Sequence, residues 1–80
     1  MKRIKLTKIE ELKDALHPNN IPVSFEKIGY IEEEPTIGRR FYMSTGVWDN
    51  FSTSGVVELL EDNKFKTYSS IYQITYLENE

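Results

Sequence analysis

The chain has 80 residues, of which 10 are basic and 13 acidic, giving a formal net charge of −3, with one histidine and no cysteine. That length allows a single domain, residues 1–80, with a small core. The charge disfavours duplex nucleic acid as a partner, and the thiol count excludes disulfides, thiolate metal sites and Cys–His catalysis.

No apolar run approaches the length of a membrane span, and no signal-type stretch follows Met1-Lys2-Arg3. The expectation is a soluble, cytoplasmic protein without a membrane partner. Lys2, Arg3, Lys5 and Lys8 place four cations in the first eight residues and leave 6 basic against 13 acidic residues in the remainder. A basic start of this kind reads as a solvated tail or first strand, with a phosphate-binding arm as the competing reading. A core this small also makes self-association an expectation, because a second copy would cover more apolar surface.

Residues 7–16 carry Ile9, Leu12 and Leu16 at helical spacing, and Thr7 with Glu10 matches a capping box. His17 before Pro18, followed by Asn19-Asn20, supplies a stop. The spacing predicts one N-terminal helix, with His17 in a structural role at its C-terminal end. Residues 23–31 read as a strand in which the apolar parity changes between Phe25 and Ile28, suggesting a bulge near Glu26-Lys27. Glu32-Glu33-Glu34-Pro35 is an acidic connection that lacks the spacing of a cation loop, and Thr36-Ile37-Gly38 leads into a second strand at residues 39–44.

Gly46 and Asp49-Asn50 punctuate a loop around Trp48. Residues 51–60 and 64–77 read as third and fourth strands joined by a hairpin at Glu61-Asp62-Asn63, with a bend at Tyr68-Ser69-Ser70 where the parity changes again. The fold expected is α+β: the helix packed on a strongly bent antiparallel sheet, or on a small SH3-like, partly closed barrel. An open four-stranded sheet with the helix across one face is the competing architecture.

Binding is better supported than bond-breaking. Arg39 and Arg40 are adjacent, so on a strand one of them is presented beside Tyr42. A guanidinium next to aromatic rings suits a phosphate plus a stacked base, with Trp48 as a further stacking surface and Thr53 or Ser54 on polar edges. The competing readings are structural: Trp48 capping the core, an arginine paired with the glutamates, and hydroxyls satisfying the strand ladder. No catalytic residue, cofactor or metal ligand is assigned.

Thr53-Ser54, Val56-Val57-Glu58-Leu59, Phe65-Lys66-Thr67 and Ser70-Ile71-Tyr72 form a pattern that resembles small accessory proteins of bacteriophages and mobile elements. His17-Pro18-Asn19-Asn20 and Pro35-Thr36-Ile37-Gly38 before Phe41 extend the resemblance over most of the chain. It implies a non-enzymatic phage accessory or counter-defence protein that acts stoichiometrically in the host cytoplasm. The functional expectation is a homo-oligomer that sequesters a small nucleotide-like signal at a subunit interface. Two alternatives stand beside it: a protein–protein interaction module that blocks a host enzyme, and a small barrel that binds single-stranded nucleic acid.

Overall fold

The computed structural model describes residues 2–12, 22–46 and 49–77. Six strands occur in these segments: β1 (Lys2–Glu11), β2 (Glu26–Ile31), β3 (Arg40–Gly46), β4 (Asp49–Leu59), β5 (Lys64–Thr67) and β6 (Ser70–Tyr76). Each pairs antiparallel with the next, and β6 returns to β1 to close a barrel. Closure pairs the backbone edges that an open sheet of this size would expose. Among the described residues no helix is long and apolar enough to cross a membrane.

The expected α+β class is therefore corrected to all-β. Thr7–Glu11 of the expected helix belong to β1, which is paired to β2 on one side and β6 on the other. Ile4, Leu6 and Lys8 point inward in strict alternation. Lys8 hid that alternation, because a cation at the third inward position leaves Ile9, Leu12 and Leu16 as the only visible apolar period. Two ladders then outweigh a weak local helix preference. Leu16 and His17 lie outside the described residues, and so does Trp48.

Both expected irregularities have a different explanation in the structure. Along β2 the register with β1 runs unbroken from Glu26 to Ile31, with Gly29 and Ile31 buried and Ile28 and Tyr30 exposed. No bulge interrupts Glu26-Lys27, because Ile28 and Tyr30 face outward and never changed parity with the core residues. The expected strand over residues 64–77 is two strands, β5 and β6, reversing at Tyr68-Ser69. The Thr67 hydroxyl accepts hydrogen bonds from the N–H groups of Ser69 (3.3 Å) and Ser70 (3.1 Å), which holds that reversal.

The hairpin at Glu61-Asp62-Asn63 forms as its residues suggest. Asp62 and Asn63 have φ of 59° and 62°, and Lys64 N–H donates to Glu61 O at 3.2 Å, which is the two-residue primed turn that matches strand twist. Inside the barrel an aromatic chain runs through Phe25, Phe51, Tyr72, Phe65 and Phe41, with successive ring centroids 5.8, 6.4, 5.6 and 5.0 Å apart. Ile4, Leu6, Ile31, Met43, Val56 and Ile74 fill the space around it. Lys8 is also buried and is paired with Glu11, so its charge is met inside the wall.

Candidate functional site: a cleft at the β2–β3 seam

The β2–β3 seam is where the barrel is least completely paired. Within β3 only Ser44 has a ladder partner in β2, Tyr30, among the described residues. Beyond that pair the chain departs into the 32–39 connection, leaving the β2-facing side of Arg40 to Met43 without a ladder. Gly29 sets the closeness of the seam: a Cβ there would lie 2.4 Å from the Ser44 carbonyl oxygen and 2.9 Å from Met43 Cε. The two strands thus share a single ladder pair, past which the chain leaves β2 for the connection.

A cleft of about 420 Å³ lies beside this seam. Its walls include Tyr30 of β2, Glu32, Glu33, Glu34, Thr36 and Arg39 of the connection, and Arg40, Tyr42 and Ser44 of β3. Phe41 and Met43 also border it although both are only 2% exposed, so the β3 strand forms the floor. The volume falls in the range of about 300–1,000 Å³ common for small-molecule sites.

The connection that forms the outer wall is fixed at both ends. At its far end Gly38 has φ of 92°, Arg39 N–H closes a turn onto Thr36 O at 3.1 Å, and Gly38 N–H donates to Val56 O at 2.8 Å. Near its start Glu34 receives Lys2 Nζ at 2.7 Å and the Tyr76 hydroxyl, and Lys2 Nζ stands 5.4 Å from the centre of the Tyr76 ring. The hydrogen bond from Lys2, then that from Tyr76, hold the Glu34 carboxyl below its ordinary value. Burial, then the bond to Glu34, pushes the Tyr76 phenol up to about 12.

The three glutamates therefore differ in role. Glu34 is neutralised by Lys2 and ties the wall to β1 and β6. Glu33 stands 3.8 Å from Arg39, but both side chains are more than 70% exposed, so that pair contributes little and yields readily to a ligand anion. No carboxylate lies in ion-pair range of Arg40 among the described residues.

The structure brings Arg39, Arg40 and Tyr42 together at this cleft: Arg40 and Tyr42 share a face of β3, whereas Arg39 lies in the connection, outside the strand expected over residues 39–44. Thr53 is not there. It is 6% exposed, its hydroxyl accepts from Phe41 N–H at 3.2 Å and donates to Ser54 O at 2.7 Å, and it thereby fills the bulge between the Arg40–Gly55 and Tyr42–Ser52 pairs. Ser54 also lies outside the cleft walls. Tyr30 was missed by sequence reasoning; the signal available was that Ile28 and Tyr30 share a parity opposite to Phe25 and Ile31.

Comparison with protein-family models, curated proteins and solved structures finds no match to this chain.

Proposed function

We propose that the protein is a non-enzymatic binding protein that holds a small nucleotide-like ligand in the β2–β3 cleft. The observation that carries this reading is the convergence of Arg39, Arg40, Tyr30 and Tyr42 on one cleft with an unladdered strand edge as its floor. Arg40 meets a phosphate, and Arg39 joins it by exchanging Glu33 for the ligand. Tyr42, 61% exposed, and Tyr30, 46% exposed, offer ring faces for a base. Glu32 and the free backbone groups of β3 accept from ribose hydroxyls or exocyclic amines.

Phage-type sequestration of a host signal is the biological setting we propose for such a site, with a second copy covering the exposed tyrosines. Calorimetry against linear and cyclic nucleotides tests the site. Binding is expected, and Arg40→Gln should weaken it about tenfold or more, the scale of one charge-assisted hydrogen bond. Silence across the panel, or affinity indifferent to Arg40→Gln, rejects the reading.

The unladdered β3 edge also favours a second reading, in which an extended segment of a host protein adds to that edge. Pull-down from lysate with wild type and with Tyr42→Pro, which by strand alternation removes an N–H from the open edge without touching the core, separates the two: with the fold verified by circular dichroism, capture lost in the variant while nucleotides stay silent selects the protein partner.

A further inference from the structure

Tyr30 borders the cleft and is exposed on the outer face of the barrel. Tyr30 is the register partner of Arg3 in β1 and of Ser44 in β3, so these three form a row across adjacent strands. Neighbours in such a row have Cβ atoms about 5 Å apart. Arg3 is exposed beside the exposed Tyr30, and Ser44 borders the cleft.

Charge pairing narrows the choice of cation. Lys2, Lys5, Lys8, Lys27 and Arg39 each have a carboxylate partner. Among the described residues Arg3, Arg40, Lys64 and Lys66 have none, and of these the two arginines belong to β1 and β3, the neighbours of β2 that frame Tyr30, whereas the two lysines belong to β5. Two unpaired guanidinium groups therefore flank two exposed tyrosines: Arg40 stands two residues from Tyr42 on β3, and Arg3 stands across the ladder from Tyr30. Each pair offers one ring face and one phosphate-binding fork.

The acidic wall decides what kind of phosphate suits them. A terminal di- or triphosphate concentrates several negative charges beside Glu32 and Glu33. A phosphodiester carries a single charge per phosphate, and two of them can be spaced apart.

We propose that Arg3 and Tyr30 form a second subsite continuous with the cleft, and that the ligand is a dinucleotide joined by phosphodiester linkages. One base lies on Tyr42 with its phosphate at Arg40, and the other lies on Tyr30 with its phosphate at Arg3. This inference rests on the nucleotide-binding reading of the cleft.

Calorimetry with cyclic diadenylate, cyclic diguanylate, AMP and GMP tests it on wild type, Arg3→Gln and Arg40→Gln, with far-UV circular dichroism to verify the fold of each. At least one dinucleotide should bind about tenfold more tightly than its mononucleotide. Arg3→Gln should weaken the dinucleotide by about fivefold more than the mononucleotide, whereas Arg40→Gln should weaken both. Nucleotide binding that responds to Arg40→Gln, with no dinucleotide preference or no selective effect of Arg3→Gln, overturns the second subsite and leaves the cleft reading intact. Absence of binding by all four probes overturns both.

Discussion

Gly29→Ala is the most direct probe of the seam that creates the cleft. The added Cβ would sit 2.4 Å from the Ser44 carbonyl oxygen and 2.9 Å from Met43 Cε, where an ordinary contact is well over 3 Å. Met43 can rotate, but the carbonyl belongs to the one residue of β3 laddered to β2, so the strands must separate. Overpacking of this kind costs about 1–3 kcal/mol. Alanine restricts the unfolded chain more than glycine does, which returns about 0.4–1 kcal/mol. The net expectation is a loss of about 1–2 kcal/mol, or a Tm lowered by roughly 5–15 °C for a domain of this size.

Gly46→Ala is the matched control. Among the described residues its Cβ would meet only Asp49 Cβ, at 3.7 Å, and Gly46 has no positive φ. The same entropic gain then stands unopposed, and stability should be unchanged or slightly higher. Urea midpoints of the two variants, measured side by side, decide the matter. If Gly29→Ala proves as stable as Gly46→Ala, the seam is not held at the closeness described and the cleft loses its structural basis.

Four further expectations follow from particular contacts. The folded Glu34 carboxyl titrates below its ordinary 4.5, so its contribution is complete well above pH 4.5 and is lost as pH falls through the depressed folded value. Because the Lys2–Glu34 pair is half-exposed, the amount is under about 1 kcal/mol, and the urea midpoint should fall more between pH 7 and pH 3 in wild type than in Glu34→Gln. Glu11→Ala strips the buried Lys8 of its carboxylate and should cost about 1–3 kcal/mol, more than the apolar replacement Lys8→Met, which thermal denaturation can rank. Thr67→Val deprives the N–H groups of Ser69 and Ser70 of their acceptor and should cost about 2 kcal/mol. Ser54→Ala removes a buried hydroxyl oxygen without a hydrogen-bond partner and should be neutral or stabilising in the same assay.

Parts of the site were legible because they depend on local rules. Arg40 and Tyr42 share a strand face by alternation, and an arginine paired with a nearby glutamate, here Arg39 with Glu33, follows from sequence proximity and charge, whereas Lys2 and Glu34 are 32 positions apart and meet only in the fold. Thr53 was misplaced because a hydroxyl's role depends on whether a bulge opens beside it, and the bulge belongs to the pairing of β3 with β4. Tyr30 was left out of the expected site because an aromatic ring carries no mark of which face it occupies. Its outward position is fixed only by the register with Arg3 and Ser44.

From the sequence alone came strand-forming composition in the C-terminal half, the Glu61-Asp62-Asn63 reversal, and the clustering of arginine with tyrosine near residues 39–42. These depend on φ preference, alternation and charge, which act over a few residues. Closure of the barrel, the strand identity of residues 7–11, and the cleft itself were decided by pairing between segments far apart in the chain. A helical spacing at Ile9, Leu12 and Leu16 carries a small local preference, whereas β1 between β2 and β6 satisfies its backbone on two sides and buries Ile4 and Leu6. That larger gain exists only once both neighbours are in place.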